Sequence, residues 1–296
     1  MAAELTSHQK GLIAVCFAAL LWSTGGLFIK LISLSPYAIL SLRALFSAAL
    51  FGIWFRKRVF QWSWNIFLVS VFYCGLVICF VISTKITTAA NAIFLQYTAP
   101  IYLILLEPVL FRFKLERINI LTVIVCFLGM GLFFMGDLEV GDMRGNVLAL
   151  ASGVFLAALM LAQRFNPPDR HEAAIFQGNM LVAVFFFPAV LQGPAPTLPE
   201  WGMLAFLGLV QLGLGYVLFT YGLKRVPAFE SSLIAMLEPV LNPVWVLIGY
   251  GEKPAGTAVA GGLIIVGMLI VRTLIQERKK YLQRRLPAQE QGLLEV

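Results

Sequence analysis

Charged side chains are scarce in this sequence. Asp, Glu, Lys and Arg make up 12% of its 296 residues, whereas a soluble domain has about 25% and needs them at its surface. Hydrophobic residues make up 60%, and the mean hydropathy is +0.87. This composition excludes an ordinary soluble protein, and it predicts that lipid surrounds most of the chain.

Cysteine and histidine, which supply many metal and nucleophilic sites, are rare too. The four cysteines all fall in apolar stretches and form no C-x-x-C pair, which argues against a disulfide framework or a zinc site. They are Cys16, Cys74, Cys79 and Cys126. The two histidines, His8 and His171, are predicted in loops, and no H-E-x-x-H or G-x-S-x-G motif occurs. We therefore expect no catalytic residue, metal or cofactor, and an intramembrane enzyme is a weak alternative.

Long apolar stretches follow one another along the whole chain. A helix needs about 20 mainly apolar residues to cross the hydrocarbon of a bilayer. Ten stretches meet this requirement, at about 11–30, 36–55, 66–84, 90–110, 118–136, 146–163, 173–191, 202–222, 229–249 and 256–275. The connections are short, so the sequence predicts an all-α membrane protein with ten transmembrane helices and no sizeable soluble domain.

The distribution of positive charge predicts the orientation of these helices. When helix ends are assigned alternately to the two sides, one side collects most of the 22 lysines and arginines. The other side has only Lys30, Lys85, Arg144 and Lys253. Because cytoplasmic loops carry the excess of Lys and Arg, both termini are expected in the cytoplasm. The net charge of +7 is thereby explained without a nucleic-acid partner.

The two ends of the chain add to this interpretation. The first apolar stretch lacks an A-x-A-like exit before Lys30 and does not resemble a cleaved signal peptide. Direct insertion into a bacterial cytoplasmic (inner) membrane is therefore favoured. The segment ERKKYLQRR at 277–285 makes residues 276–296 a basic cytoplasmic tail, whose charge attracts anionic lipid.

The sequence contains a weak internal duplication. When it is shifted by 139 positions, Lys85 falls on Lys224 and Pro100 falls on Pro239. A shift of 136 positions extends the match towards both ends of each half. Weak self-similarity of this kind indicates a repeat-built fold.

The duplication predicts two copies of a five-helix unit, at 11–136 and 145–275. Because five is odd, the second copy enters the membrane from the opposite side. Inverted repeats are typical of secondary transporters, whose substrate site lies near the membrane midplane between the repeats. The fold prediction is therefore ten transmembrane helices arranged as two inverted-topology five-helix repeats around a central cavity.

Several segments carry a family resemblance. They are LLWSTGGLFIK (20–30), the P-x6-R pattern of Pro36 and Arg43, KITTAANAIFLQYTAP (85–100), KLERINILTVIVCFLGMGL (114–132) and the related RVPAFESSLIAMLEPVLNPVW of the second half. Together they resemble the drug/metabolite transporter superfamily, in particular its EamA-type ten-helix proteins, and within it the YddG-type exporters of aromatic amino acids. The resemblance implies export of small amphipathic metabolites through a central cavity. The second half departs from the pattern at Asn179, where the first has Arg43.

Polar side chains inside the apolar stretches are the candidate binding residues, because lipid cannot hydrogen-bond them. In the ninth stretch, Ser231, Glu238, Asn242 and Trp245 follow at steps of 7, 4 and 3, which keeps them on one face of a helix. This face can bind an ammonium group and an apolar side chain, or it can hold the bundle together by interhelical hydrogen bonds.

The fourth stretch is polar nearly all round. Asn91, Thr98 and Tyr102 share one face at steps of 7 and 4, and Tyr97 lies beside them. Such a helix must be shielded from lipid by its neighbours. Pro100 and its counterpart in the ninth stretch remove backbone donors and can kink both helices.

Aromatic and isolated polar residues complete the candidates. Trp22, Tyr73, Tyr97 and Tyr216 lie within stretches, where flat rings suit an aromatic substrate or its ammonium group. Gln211 is a further cavity candidate. Arg43 lies about two turns from one membrane surface, where it can join an ion pair, stabilise a gate or bind a substrate carboxylate.

These observations predict a secondary transporter that exports amino acids or related metabolites by alternating access. The sequence has no G-x-x-x-x-G-K-[ST] loop, so ATP is not the expected driver. Transport is either simply downhill or coupled to protons through Glu238. The second candidate is a carrier of sugar phosphates or nucleotide sugars. Phosphate groups call for several Lys or Arg side chains in the cavity, and Arg43 is the one candidate there. A channel is a weaker alternative because the polar stripes are short.

Overall fold

The computed structural model describes residues 5–112, 116–135, 142–250 and 255–285, without the side chains of 89, 242, 243, 246–250, 277 and 280–285. These residues form helices joined by short turns, and no β-strand occurs in them. The α-helices are α1 Ser7–Trp22, α2 Gly25–Leu31, α3 Pro36–Phe55, α4 Trp64–Ile86, α5 Ala89–Gln96, α6 Ala99–Phe111, α7 Arg117–Phe133, α8 Met143–Phe165, α9 His171–Gln192, α10 Leu198–Ala205, α11 Gly215–Leu223, α12 Ala228–Ala235, α13 Leu237–Tyr250 and α14 Gly256–Arg285. A π-helical stretch, Phe206–Leu214, joins α10 to α11. The all-α prediction is confirmed.

The helices group into the ten spans expected from the sequence. Eight segments of the described chain are long and apolar enough to cross a membrane, and α7 is a shorter apolar helix. The broken pair α12–α13 covers the ninth apolar stretch. We number the spans along the chain: α1–α2 is span 1, α3 span 2, α4 span 3, α5–α6 span 4, α7 span 5, α8 span 6, α9 span 7, α10–α11 span 8, α12–α13 span 9 and α14 span 10.

The packing of the spans has the symmetry of a duplicated unit. Span 1 packs on span 8, span 2 on span 7, span 3 on span 6, span 4 on span 9 and span 5 on span 10. Exchanging each span of the first half with its counterpart in the second half, span 1 with span 6 and so on, leaves this set of pairs unchanged. An inverted pair of five-helix units produces this pattern, and the first and second halves therefore meet along every one of these contacts.

Several helices begin with a side-chain cap supplied by the local sequence. The hydroxyl of Ser35 accepts a hydrogen bond from the backbone N–H of Ala38, and Pro36 follows at the first position of α3. Thr88 caps α5 in the same way, with its hydroxyl 3.0 Å from the backbone nitrogen of Asn91. These caps satisfy helix N–H groups that have no intrahelical partner.

Spans 4 and 9 are broken rather than simply kinked. The first break lies between α5 and α6, just before Pro100, and the second lies at Met236, just before Pro239. Each proline lacks the N–H that would bond the carbonyl four residues earlier. The breaks divide the two predicted polar stripes: Ser231 lies on α12, whereas Glu238, Asn242 and Trp245 lie together on α13.

Two smaller expectations also change. Neither histidine lies in a loop: His8 is in the first turn of α1, and the buried His171 is the first residue of α9. The basic segment after span 10 continues α14 as far as Arg285, so the first part of the predicted tail is helical. Residues 286–296 lie outside the described part of the chain.

Candidate functional site

A small cavity lies between the two halves of the bundle. Side chains from spans 1 to 4 form one part of its wall, and side chains from spans 6, 8 and 9 form the rest. The lining residues are Trp22, Arg43, Leu76, Val77, Phe80, Gln96, Tyr97, Leu156, Gln211, Leu212, Tyr216 and Glu238. Its volume is about 40 Å³, which holds about three water molecules. Ligand pockets are typically about 300–1,000 Å³, so this conformation shows the cavity contracted.

Tyr97 and Glu238 form the contact that joins the two broken spans at the cavity. The hydroxyl oxygen of Tyr97 lies 2.6 Å from a carboxyl oxygen of Glu238 and 2.7 Å from the backbone carbonyl oxygen of Ala235. Ala235 is four residues before Pro239, so its carbonyl is the one that the proline leaves without a helical donor. The hydroxyl of Tyr97 therefore replaces a hydrogen bond that span 9 cannot make for itself.

The corresponding carbonyl in span 4 is accommodated differently. Gln96 stands four residues before Pro100, and its carbonyl oxygen faces Gly153 of α8. A Cβ atom at Gly153 would lie only 2.7 Å from that oxygen. A glycine is therefore needed for this close approach, and the break of span 4 packs directly against span 6.

Arg43 is a buried cation without a carboxylate partner among the described residues. Its side chain projects from α3 and is 3% exposed. Its Nε and Nη1 atoms have no hydrogen-bond partner within the described structure. A buried unpaired charge costs several kcal/mol as an order of magnitude. The predicted ion pair is thus not realised among the described residues.

Two further polar atoms on the cavity wall are unpaired among the described residues. They are the indole N–H of Trp22 and the side-chain carbonyl oxygen of Gln211. Buried polar groups are nearly always hydrogen-bonded in folded proteins. The residues that line the cavity therefore include buried donors on Arg43 and Trp22 and a buried acceptor on Gln211.

Aromatic rings surround these polar atoms on one side. The ring of Trp22 lies 5.0 Å from that of Tyr216 and 4.8 Å from that of Phe219, measured between centroids. Tyr73 packs edge-on against Tyr216 at 5.0 Å. These distances fall in the range of favourable aromatic pairs, so the rings of this part of the wall stabilise one another by packing.

Of the ten predicted site residues, the structure places six on the cavity wall and three elsewhere, and the side chain of the tenth is not described. Those on the cavity wall are Trp22, Arg43, Tyr97, Gln211, Tyr216 and Glu238. Tyr73 lies behind Tyr216 and donates a hydrogen bond to Asn179 at 2.9 Å. The side chain of Asn242 lies outside the described residues.

The other two predicted residues take part in contacts between helices. Asn91 stands near the start of α5 and bonds the side chain of Asn146 at 3.1 Å. Trp245 donates from its indole nitrogen to the hydroxyl of Ser23, at 2.7 Å, and so ties α13 to the break in span 1. Neither residue lines the cavity.

Several lining residues were missing from the sequence-based set of site residues. Gln96 accepts a hydrogen bond from Ser152 at 3.2 Å, and its place beside Tyr97 at the break is a signal that could have identified it. Leu76, Val77 and Phe80 form an apolar wall on α4. No sequence signal separates these apolar residues from the ones that face lipid.

Comparisons with known proteins agree with this architecture. The sequence model of the EamA-like transporter family matches residues 9–135 and again residues 143–273. A crystal structure superimposes with a TM-score of 0.77, covering 90% of this chain and 97% of that chain at 20% identity, which shows the shared fold.

Relatives with similar sequences are transporters by name. A protein of Archaeoglobus fulgidus named an uncharacterized transporter is 25% identical over 271 residues, which cover 88% of this chain and 96% of the relative. The biotin transporter of Escherichia coli is 24% identical over 198 residues, covering 62% of this chain and 64% of the relative. The pseudopaline exporter CntI of Pseudomonas aeruginosa is 25% identical over 193 residues, covering 64% and 67%.

The duplicated family match spans most of the chain, and it agrees with the symmetric packing of the ten spans around a cavity. The chain therefore belongs to the EamA-like transporter family of the drug/metabolite transporter superfamily, and it is a multi-pass membrane transporter.

Proposed function

We propose that this protein is a secondary transporter that exports small zwitterionic metabolites by alternating access, with aromatic amino acids as the first candidates. The observation that carries the proposal is the unpaired guanidinium of Arg43 in the same cavity wall as the carboxyl group of Glu238. The two groups are complementary to a carboxylate and an ammonium carried by one small molecule.

The remaining cavity residues support an amphipathic substrate. Trp22 and Tyr216 offer flat aromatic faces, which suit an aromatic side chain by stacking and an ammonium group by cation–π contact. Leu76 and Phe80 provide apolar surface opposite the polar groups. Tyr73, Asn91 and Trp245 are proposed to support the site from behind or to hold its helices.

Alternating access is supported by the symmetry of the bundle. The cavity wall draws on both family-matched halves, and each half contributes one broken span. In inverted-repeat carriers the substrate site lies between the repeats, and discontinuous helices form part of it. The contracted volume of about 40 Å³ fits an occluded member of the transport cycle rather than a permanently open pore.

A count of hydrogen-bond donors supports a role for Glu238 in carrying a proton. The hydroxyl of Tyr97 has one proton, yet it is in contact with two oxygen atoms. If it donates to the carbonyl of Ala235, the contact with Glu238 needs a proton on the carboxyl group. If Glu238 is ionised, either its oxygen or the Ala235 carbonyl loses its donor. Protonation of Glu238 is therefore coupled to the hydrogen bonds that Tyr97 makes between spans 4 and 9. We call the contact surface between these two spans the seam.

We also propose that the Lys- and Arg-rich ends of the spans face the cytoplasm of a bacterium. The proposal rests on the positive-inside distribution of charge. Two relatives, named a biotin transporter and a pseudopaline exporter, support a small-molecule substrate. Their names do not fix which molecule this chain carries. Among the described residues, Arg43 is the only cationic one on the cavity wall, so we rank sugar phosphates and nucleotide sugars second.

The test is flux of labelled phenylalanine, tryptophan, threonine, a purine and a sugar phosphate across proteoliposomes that contain the full-length protein. We expect saturable flux of the aromatic amino acids, competed more strongly by phenylalanine than by phenylethylamine, which lacks the carboxylate. The variant Arg43→Gln should remove this difference between the competitors. Flux of the sugar phosphate alone would overturn the assignment in favour of the second candidate.

Proton coupling is tested in the same vesicles. An imposed pH gradient should change wild-type flux, whereas Glu238→Gln should transport at a rate that does not respond to the gradient. Glutamine keeps the size of the side chain and can donate its amide proton to Tyr97. Equal gradient sensitivity of the two proteins would show that Glu238 does not carry the proton.

A further inference from the structure

We propose that Glu107 is the gating residue that keeps the Lys- and Arg-rich end of the transport pathway closed, by capping α12 across the boundary between the two repeats. The inference rests on the proposed alternating-access function. Glu107 belongs to α6, near the end of span 4, and its side chain is completely buried. It therefore lies in the first family-matched half, whereas α12 lies in the second.

The carboxylate of Glu107 makes three contacts with the second half. It accepts a hydrogen bond from the backbone nitrogen of Ala228 at 3.1 Å and another from that of Phe229 at 2.8 Å. It also forms an ion pair with Arg164 near the end of α8. Carboxylates at helix N-termini are stabilised both by these N–H groups and by the helix dipole.

The beginning of α12 has no cap of its own. Its N-cap residue is Pro227, which makes no side-chain cap hydrogen bond. The corresponding helix of the first half, α5, is capped by its own Thr88. Within the described structure, the first N–H groups of α12 therefore depend on Glu107 as their protein acceptor, whereas α5 supplies its own cap.

Glu107 also lies at the far end of the seam that closes the cavity. Two hydrogen bonds join spans 4 and 9. The bond between Tyr97 and Ala235 lies beside the cavity, and the bond between Glu107 and Ala228 lies at the other end of α12. An eight-residue helix is about 12 Å long. The two contacts thus fasten α6 to α12 along the half of the seam that leads from the cavity to the Lys- and Arg-rich end.

A second polar cluster beside α12 is better suited to be permanent. Glu230 pairs with Arg272 at 3.0 Å, and Arg272 donates to Asn119 at 3.0 Å. All three side chains are less than one-tenth exposed. Separating them would leave charges buried without partners, which is strongly unfavourable.

The Glu107 contact differs from this cluster because one of its partners reaches solvent, although the carboxylate itself is buried. Arg164 is 31% exposed, so water can solvate its guanidinium when the ion pair opens. The backbone N–H groups of α12 can likewise be solvated by water that enters along the opened seam. Release of Glu107 therefore couples opening of this end to hydration of the path towards Glu238.

The test measures access to the cavity and needs no substrate. The four native cysteines are replaced, and Leu156, on the α8 side of the cavity, is changed to cysteine. A membrane-impermeant maleimide is then applied to inside-out and to right-side-out vesicles. Glu107→Ala should raise the labelling rate from the Lys- and Arg-rich side about tenfold by shifting the population towards the open state, with no increase from the other side.

The matched control is Glu172→Ala. Glu172 pairs with Lys224 at the same end of the molecule, but both residues lie in the second half. We expect this variant to change the labelling rate by less than about twofold, since removing an ion pair within one half leaves the seam intact. Similar increases for both variants would show that loss of any ion pair loosens this end, and would overturn the specific role of Glu107.

A second variant guards against misfolding. Glu107→Gln keeps the size of the side chain and an oxygen acceptor, and should increase labelling by an intermediate amount with an unchanged elution profile. A well-folded Glu107→Gln or Glu107→Ala protein with wild-type labelling rates would overturn the proposal. Absence of flux for every compound in the transport assay, together with the expected labelling, would overturn the proposed substrate but leave the gate.

Discussion

The hydroxyl oxygen of Tyr97 lies 2.7 Å from the carbonyl oxygen of Ala235, which is the carbonyl that Pro239 deprives of a helical donor. A proline in span 9 creates an unsatisfied acceptor, and a tyrosine at the break of span 4 satisfies it. Because the same hydroxyl meets Glu238, the structural break and the proposed proton site are joined through one side chain.

Replacing Tyr97 by phenylalanine tests this contact. Tyr97→Phe should lower the free energy of unfolding by about 1–3 kcal/mol, because it leaves the buried carbonyl of Ala235 without a partner. The control is Tyr102→Phe, whose hydroxyl is half-buried and lies 3.5 Å from that of Thr98. Thermal unfolding in detergent should separate the two variants clearly, and equal destabilisation would contradict the assignment.

Replacing Pro239 by alanine should reduce the contribution of the Tyr97 hydroxyl to the free energy of unfolding. The alanine supplies an N–H to the carbonyl of Ala235, so Tyr97→Phe should cost less in the Pro239→Ala background than in the wild type. A coupling of about 1 kcal/mol is expected for groups that share one acceptor. A double-mutant cycle on unfolding free energies measures it, and strictly additive effects would show that the two residues act independently.

Arg43 should contribute to transport at the expense of stability. In Arg43→Met, the volume is largely kept and the unpaired buried charge is removed, so stability should rise by about 1 kcal/mol or more. Flux of substrates that carry a carboxylate should fall about tenfold or more, since a charged hydrogen bond is lost. Unfolding temperature and vesicle flux should thus move in opposite directions. A less stable Arg43→Met protein would instead point to a structural role for Arg43.

Glu116, which lies outside the membrane spans, should make the stability of the protein depend on pH. Partial burial raises the pKa of Glu116, but hydrogen bonds from Lys279 at 2.8 Å and from Gln276 outweigh it and lower the pKa below its ordinary value of 4.5. Because the folded-state pKa is lowered, the stabilisation is present above pH 4.5 and is lost as the pH falls through the folded-state pKa.

The variant Glu116→Gln should flatten this part of the stability–pH profile. The cost at neutral pH should be below about 1 kcal/mol, since the pair is about one-third exposed. Thermal unfolding between neutral and acidic pH measures both effects. Lys279→Met should flatten the profile in the same way, and a profile unchanged in both variants would contradict the attribution.

Sequence patterns were most informative where a local property decides the structure. The apolar stretches and the alignment of Pro100 with Pro239 indicated the ten spans and their duplication, since hydrophobic length must match the bilayer. The polar stripes were only partly informative because a break divides each of them between two helices. The break at Met236 separates Ser231, on α12, from Glu238, on α13, whereas Trp245 lies on α13 with Glu238 and donates to Ser23 of span 1.

The sequence by itself determined that this protein is an all-helical membrane protein built from a duplicated unit, because hydropathy and self-similarity are properties of the chain alone. Only the tertiary structure decided which polar groups meet. Tyr97 bonds a carbonyl 138 residues away, Glu107 caps a helix 121 residues away, and Arg43 is left unpaired among the described residues. Such contacts depend on where helices break and how closely they pack, and these features arise only when both halves come together.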